Sequence, residues 1–321
     1  MKKKRIQAWN AALKALRITI YPLKAHFIAS SSNLIFLIYR YYKNCLCNDK
    51  YSINTLNLRY AGLRKRSDTL FVLCSGSSIL SLSEDNWRTI SGYDSIGFNF
   101  SYLLRHVPTF YFCELARTAS SESTCEKISK DLSCLADEYS QTLVIVKPFT
   151  SNILFNLRSL WRFKFYKAFF MPQLFATENS QEWFYHRFAM MLKQAFLLPY
   201  QFPSPHYVHR ATLEQAVSFG IALNYKEIVI CGADLGGKYF YEYESDAIRA
   251  NVLRPSMEHF DPVPIDKPHG TADPSTYGLT IDKVLARMSE FASDKSISIY
   301  ISSKHSPLSK LFPVYSWPTP S

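Results

Sequence analysis

The sequence lacks paired cysteines and long apolar runs, and each absence excludes a class of protein. Its seven cysteines are odd in number and form no CxxC pair. Free thiols in a reducing compartment therefore fit better than a disulfide framework. No uncharged apolar stretch reaches the about 18 residues that a membrane-spanning helix needs. A cleavable signal peptide also fits poorly, because the basic start is not followed directly by an apolar core.

Acidic residues are scarce in one part of the chain, residues 1–66. This segment contains fourteen Lys or Arg and one acid, Asp49, whereas the remaining 255 residues carry a net charge of −2. The segment 8–27 has the spacing of an amphipathic helix, with basic residues interspersed among apolar ones. We predict that 1–66 is a basic arm that binds an anionic membrane surface; a helix packed on the body is the alternative. Nucleic acid is disfavoured, since the body is slightly acidic and the arm is not purely basic.

From Asp68 onward, short apolar runs alternate with helical segments. The runs are "TLFVLCSG", "SIGFNFS", "TFYFCE", "TLVIVKP", "KEIVICGAD" and "SISIYISS". Strands that are apolar throughout are typical of a parallel sheet buried on both faces. Helices are predicted for "ATLEQAVSFGIALNY", with one apolar side, and for "TIDKVLARMSEFASD". We predict an α/β fold, a Rossmann-like and mostly parallel sheet with helices on both faces, over residues 67–321.

Residues 150–207 interrupt this alternation. Their sequence is aromatic and basic, as in "LWRFKFYKAFFMPQLF" and "EWFYHRFAMMLKQAFLLPYQF". We predict an inserted helical lid or acceptor subdomain here, because long insertions in compact domains are usually functional. Core helices are the alternative. The pair His206 and His209 could hold a metal on a helix, but it follows two prolines and is predicted to lie in a loop.

The first apolar run ends in the small residues Ser75, Gly76 and Ser77. The turn lacks the GK[ST] of a Walker A loop and does not fit GxGxxG. Such a turn after a buried strand exposes backbone N–H groups that suit a phosphate. In parallel sheets, ligands bind beyond the carboxyl ends of the strands, so this turn is a candidate nucleotide site. Gly232 and Asp234, which follow a later strand, join it as candidates; Asp234 either orients the site or caps a turn.

The order of the motifs resembles the bacterial sialyltransferases of glycosyltransferase family 42. The matching segments, in order, are "VLCSGSSIL", "GFNFS", "FYFCE", "ALNYKEIVICGAD", a loop containing "HGT", and "SSKHSPL". The similarity covers roughly 68–312, and "ALNYKEIVICGAD" is the best match. The resemblance implies a GT-A-type variant of the fold and a CMP-sugar donor. The basic arm lies outside it.

Site residues follow from the resemblance position by position. Ser75 and Gly76 fall on the family's turn that contacts the nucleotide, and Asn99 falls on its nucleotide-binding asparagine. Thr212 falls beside its hydroxyl contact to the ribose. A second family asparagine falls at Cys113 or Glu114, which is a departure, and Glu114 is kept as a candidate.

The resemblance also implies the groups that act on the leaving phosphate. Of two family tyrosines that contact it, one falls on Gly236, a second departure. The other corresponds to Tyr239 or Tyr241. The catalytic base corresponds to His269, with His259 as its competitor.

These residues imply an inverting and metal-independent transfer of sialic acid or a related nonulosonic sugar. A histidine near its ordinary pKa of about 6.5 suits the base. The sequence contains no DxD triplet of the kind that holds a divalent ion, so no metal is expected. We expect a lipopolysaccharide or glycolipid acceptor and a peripheral location on the inner face of a bacterial inner membrane. The sequence leaves open whether the protein forms a homo-oligomer. The rivals are a pyrophosphokinase-like enzyme and a non-catalytic glycan-binding protein at a membrane surface.

Overall fold

The described part of the chain is built around one parallel sheet. The computed structural model describes residues 54–55, 61–114, 127–128, 130–132, 134–147, 168–170, 173–175, 206–208, 211–252, 268–273 and 280–318, all within the unit Ile53–Ser321. The prediction of a basic arm, most of the predicted lid, and His259 lie outside these residues. No helix among the described residues is long and apolar enough to cross a bilayer.

Eight described strands form the main sheet, and every pairing in it is parallel. They are β1 (Asn54–Thr55), β2 (Thr69–Leu73), β3 (Asp94–Phe98), β4 (Phe110–Glu114), β5 (Leu143–Lys147), β6 (Ala168–Phe170), β9 (Glu227–Cys231) and β10 (Ser298–Ile301). Their order is β1-β6-β5-β4-β3-β2-β9-β10. A separate parallel pair joins β7 (Gln173–Phe175) and β8 (His206–Val208). The predicted α/β fold with a parallel sheet is confirmed.

Three α-helices are described: α1 (Glu84–Gly92), α2 (Thr212–Ala222) and α3 (Ile281–Ser293). Short 3₁₀ helices span Ser77–Ser81, Asn99–Leu103, Glu138–Gln141, Phe240–Glu242 and Pro307–Lys310. The start of α1 follows from its sequence, because Ser83 and Asn86 form a reciprocal capping box. Helix α3 buries the apolar stripe Ile281, Val284, Leu285, Met288 and Ala292.

Both faces of the sheet are buried, and β2 illustrates how. All five of its residues are buried, and Leu70 packs with α2 so closely that a Cβ at Gly220 would lie 2.9 Å from Leu70 Cδ2. On the opposite face, Phe71 contacts the rings of Tyr315 and Trp317, each at a centroid distance of 5.6 Å. This two-sided burial explains why the strands show no alternation of apolar and polar residues.

The sheet changes direction at β2. The chain passes from β2 through α1 to β3 on one side, and from β9 through α3 to β10 on the other. Right-handed crossovers that move in opposite directions place their helices on opposite faces. The junction between β2, β3 and β9 is therefore a topological switch point, where parallel sheets commonly bind ligands.

Three local predictions differ from the structure. Strands β6 and β7 lie within 150–207, for which we predicted helices, and β8 begins there; the aromatic run at Phe169 and Phe170 pairs with β5 as an added strand. His206 lies in β8 rather than in the predicted loop. Helix α2 is buried from Thr212 to Ile221 on all sides, not on one, because it packs against β2, β8 and α3.

Candidate active site

A cavity of about 250 Å³ opens at the carboxyl edge of the sheet, at the switch point. Its walls come from the segments that follow β2, β3 and β9, from the start of α2, and from a fifth segment that precedes α3. The lining residues are Cys74, Ser75, Gly76, Phe98, Asn99, Ala211, Thr212, Leu213, Gly232, Ala233, Asp234, Leu235, Gly236, Gly237, Lys238, Tyr239, His269, Thr271 and Ile281. Eight of the predicted site residues thus border one cavity: Ser75, Gly76, Asn99, Thr212, Gly232, Asp234, Tyr239 and His269.

The turn after β2 lies against the loop after β9. The N–H of Cys74 donates to the Cys231 carbonyl, and that of Gly76 donates to the Gly232 carbonyl, both at 2.8 Å. A Cβ at Gly76 would lie 2.5 Å from the Gly232 oxygen and 2.7 Å from Asp234 Cγ. Only glycine fits this close approach. The glycine of the turn is therefore required by packing as well as by any ligand.

The Asp234 carboxylate caps the 3₁₀ helix that begins at Ser77. It accepts the Ser78 N–H at 2.8 Å, the Ser77 hydroxyl at 3.3 Å, and the Ser78 hydroxyl. The structure thus shows the capping role that was one of the two predictions for Asp234, and the residue also borders the cavity. Ser77 is accordingly not among the lining residues, because its hydroxyl is turned toward Asp234.

Ser75 presents unsatisfied polar groups at the cavity. Its Oγ is buried and has no hydrogen-bond partner among the described residues. Within the same part of the chain, no backbone hydrogen bond uses the N–H of Ser75 or of Ser77. A buried polar atom without a partner is destabilising, and Ser75 borders the cavity, so its hydroxyl is a candidate contact for a polar ligand.

Asn99 follows β3 in a left-handed backbone conformation, with φ of 53°. Asparagine tolerates this region better than most residues. Its carbonyl accepts the hydroxyl of Tyr111, which fixes the backbone. The residue borders the cavity, and the resemblance assigns it to the nucleotide.

The loop after β9 is strained. Gly232, Leu235 and Gly237 all have positive φ, of 72°, 56° and 73°. For leucine, this conformation costs about 1–2 kcal/mol, and such strain concentrates at functional sites. The Leu235 carbonyl accepts the N–H of His269 at 2.8 Å. The strained loop thereby holds the histidine segment against the cavity.

His269 borders the cavity in a half-buried position. Burial lowers its pKa below the ordinary 6.5, so the ring is neutral at pH 7. Its Nδ1 lies 2.9 Å from Thr271 Oγ1 and 3.3 Å from the Thr271 amide nitrogen. The tautomer protonated on Nδ1 donates to Thr271 Oγ1 and leaves Nε2 to accept a proton; the opposite tautomer accepts the Thr271 N–H.

The two candidate tyrosines occupy different positions. Tyr239 borders the cavity, whereas Tyr241 is 3% exposed and packs behind it, with the two rings stacked at 5.2 Å. Tyr241 also packs against Phe100. Burial, and then the Glu242 carboxylate, raise the pKa of Tyr239. Its hydroxyl is therefore protonated at neutral pH and able to donate a hydrogen bond.

The remaining candidates are less central. Thr212 is the first residue of α2 and borders the cavity. Glu114 is the last residue of β4, and Cys113 before it is buried. Among the described residues, no group of three or more His, Cys, Asp or Glu side chains could hold a metal ion.

Two lining residues with side chains that can bind a ligand were missed from the sequence, Lys238 and Thr271. Lys238 follows Gly236 and Gly237 directly. A lysine after paired glycines resembles an ordinary surface charge, although its place just beyond a strand was a usable signal. Thr271 was not recognised because its role is a contact to His269 rather than part of a motif.

Comparison with known proteins gives matches among solved structures. No family model and no curated protein matches the chain. Monofunctional alpha-2,3-sialyltransferase Cst-I from Campylobacter jejuni is 17% identical, covering 77% of this chain and 80% of its own, with a TM-score of 0.43. Sialyltransferase CstII from Campylobacter jejuni, in complex with the substrate analogue CMP-3FNeuAc, is 13% identical, covering 78% and 86%, with a TM-score of 0.43.

A third structure, CstII with trisaccharide acceptor and CMP, is 12% identical, covering 78% and 86%, with a TM-score of 0.42. These proteins bear the same description, sialyltransferase, as the family that the sequence motifs resemble. At this identity and TM-score the likeness carries no argument about substrates or residue roles. The function is therefore inferred from the site itself.

Proposed function

We propose that the chain is a glycosyltransferase that moves sialic acid or a related nonulosonic sugar from a CMP donor to a glycan acceptor, with inversion. The observation that carries the proposal is the buried, unpartnered Ser75 Oγ at the cavity. The N–H group of Ser75 likewise has no hydrogen-bond partner among the described residues. Two adjacent donors at the cavity suit the oxygens of a phosphate.

Convergence of the motif residues supports the same proposal. Ser75, Asn99, Thr212, Tyr239 and His269 are far apart in the sequence, yet all border one cavity. The resemblance assigns Ser75 to the turn that contacts the nucleotide, and Asn99 to the nucleotide itself. It assigns Thr212 to the ribose, Tyr239 to the leaving phosphate and His269 to the catalytic base. A chance set of surface residues would not be expected to share a cavity at the switch point of the sheet.

The reaction distributes its charges over these residues. The acceptor oxygen attacks the anomeric carbon, the bond from that carbon to the phosphate oxygen breaks, and CMP leaves with the electron pair. Neutral His269 takes the acceptor's proton. Donors at the Ser75 turn, Asn99 and the Tyr239 hydroxyl stabilise the phosphate as its negative charge increases.

A mutant comparison tests the catalytic part. CMP release from CMP-sialic acid should fall about 10²- to 10⁴-fold in His269→Ala, while CMP affinity is kept, because the base does not hold the nucleotide. His305→Ala is the matched control, since His305 is exposed and outside the cavity. Full turnover in His269→Ala would remove the proposed base. Turnover that requires a divalent ion and another nucleotide would favour the pyrophosphokinase-like rival.

We further propose that the basic arm holds the enzyme on the inner face of a bacterial inner membrane, beside a lipopolysaccharide or glycolipid acceptor. The proposal is supported by the fourteen Lys and Arg of residues 1–66, each of which adds about 1 kcal/mol near an anionic surface. The full chain should sediment with vesicles rich in anionic lipid and not with zwitterionic ones. Equal binding to both would contradict an electrostatic anchor.

A further inference from the structure

Lys238 is a cation at the cavity without an anionic partner. It borders the cavity, and its Nζ lies 5.7 Å from the centre of the Tyr243 ring. No ion pair or hydrogen bond to its ammonium is found among the described residues. A cation over an exposed aromatic ring gains only about 0.5–1 kcal/mol. The ammonium is therefore weakly held and can turn to a stronger partner.

The backbone beside Lys238 is tied to the Ser75 turn. Tyr239 forms an antiparallel bridge with Gly76, and the Phe240 N–H donates to the Ser75 carbonyl at 3.0 Å. On the other side of Lys238, Gly237 has a positive φ of 73°. The lysine is thus carried on a turn that is hydrogen-bonded to the Ser75 turn, and Lys238 and Ser75 border the same cavity.

The nearest acids of the same loop are already engaged. Asp234 accepts hydrogen bonds from Ser77 and Ser78. Glu242 accepts the N–H of Tyr239 at 2.7 Å. Among the described residues, no ion pair joins either carboxylate to the Lys238 ammonium, which remains available to an anion that enters the cavity.

We propose that Lys238 is the cationic ligand of the donor phosphate and stabilises the leaving group. This inference rests on the proposed function. A CMP-sugar is a phosphodiester with one negative charge, whereas departing CMP is a monoester whose second proton has a pKa of about 6. The reaction adds negative charge to the phosphate, so an ammonium beside it stabilises the products and the transition state more than the donor.

Lys238 also accounts for a departure from the family. The resemblance gives the leaving phosphate two tyrosines, and one of them falls on Gly236, which has no side chain. Lys238 lies two residues further along the same loop and borders the same cavity. A charged donor in place of a neutral hydroxyl forms the stronger interaction with a phosphate.

Calorimetric titration with CMP and with cytidine tests the proposal, because the two differ only by the phosphate. For Lys238→Met, CMP affinity at about pH 8 should fall about tenfold or more, since hydrogen bonds to charged groups are worth about 1.5–3 kcal/mol. The loss should shrink at about pH 5, where the phosphate carries one charge. Cytidine affinity should not change, and Lys238→Arg should keep most of the CMP affinity.

Lys295→Met is the matched control. Its Nζ lies 5.7 Å over the Phe291 ring, the same arrangement as Lys238 over Tyr243, but away from the cavity. It should bind CMP as the unchanged protein does. If Lys238→Met binds CMP equally well at both pH values, the role of Lys238 is overturned and the transferase proposal stands. If the unchanged protein binds neither CMP nor cytidine, both are overturned.

Discussion

The Asp234 carboxylate accepts the backbone N–H of Ser78 at 2.8 Å, which joins the loop after β9 to the turn after β2. The two segments are 156 positions apart in the sequence and together form one wall of the cavity. The interaction is charge-assisted, and such bonds are roughly twice as strong as neutral ones. The shape of the proposed phosphate site therefore depends on a residue that need not touch the ligand.

Asp234→Ala should loosen this wall. Loss of the carboxylate leaves the Ser78 N–H and two serine hydroxyls without their acceptor, at a cost of about 1–3 kcal/mol in the free energy of unfolding. Chemical denaturation measures this cost, and CMP titration should show weaker binding as well. Asp282→Ala is a control, because Asp282 lies in the first turn of α3, outside the cavity. Unchanged stability in Asp234→Ala would contradict the cap.

Gly76→Ala should damage both folding and ligand binding. The added Cβ would meet the Gly232 carbonyl at 2.5 Å, so the turn or the facing loop must shift. We expect a loss of about 1–3 kcal/mol, typical of overpacking. Gly92→Ala is the control, because nothing lies within 4 Å of a Cβ there, and alanine is favoured in a helix. If both variants unfold at the same denaturant concentration, the close approach at Gly76 is wrong.

Ser75→Ala separates ligand binding from stability. Its Oγ has no partner among the described residues, so removal should leave the melting temperature unchanged or raise it slightly. CMP affinity should fall about two- to tenfold, as expected for one hydrogen bond. Ser101→Ala is a matched control, since Ser101 Oγ is equally buried and unpartnered but lies outside the cavity. Equal CMP affinity in both variants would exclude Ser75 as a ligand.

His106 should make folding sensitive to acid. Burial, and then the charges of Arg66 and Arg249, lower the pKa of His106 to about 4. Its ring nitrogens contact the hydroxyls of Ser95 and Ser91. The unfolded chain binds the proton from about pH 6.5 downward, but the folded chain does so only near pH 4. The free energy of unfolding therefore keeps its full value above about pH 6.5 and falls by about 3 kcal/mol as the pH is lowered toward 4.

His106→Gln removes this proton uptake. Denaturation curves between about pH 7 and pH 4 should show a smaller loss of stability in the variant than in the unchanged protein. His305→Gln is the control, because His305 is exposed. An identical pH dependence in His106→Gln and the unchanged protein would show that His106 is not the cause.

Most strands of the sheet could be predicted from the sequence, because the apolar pattern of each strand is visible within a few consecutive residues. Strands such as β2 and β9 are apolar throughout, as burial on both faces requires. Strands β6 and β7 could not be predicted in this way. Phe169 and Leu174 lie in an aromatic and basic segment without turn residues, and their strand partners are distant in the sequence. Burial of α2 on all sides likewise depends on β8, a contact that helical spacing does not encode.

The site was predictable as far as the motifs reach. Ser75, Asn99 and His269 follow from the resemblance and from the rule that ligands bind at the carboxyl ends of parallel strands. The capping role of Asp234 and the left-handed conformation of Leu235 depend on tertiary contacts. Lys238 became a candidate only when the structure showed that it borders the same cavity as Ser75.

The most direct test of the central claim is calorimetric titration of the unchanged full chain with CMP, UDP and GDP in the presence of a metal chelator. The claim is that a nucleotide phosphate binds at the carboxyl edge of the sheet, against the Ser75 turn and Asn99. It predicts that CMP binds without metal and more tightly than UDP or GDP. Absence of CMP binding, or binding of UDP or GDP alone that requires added metal, would contradict it.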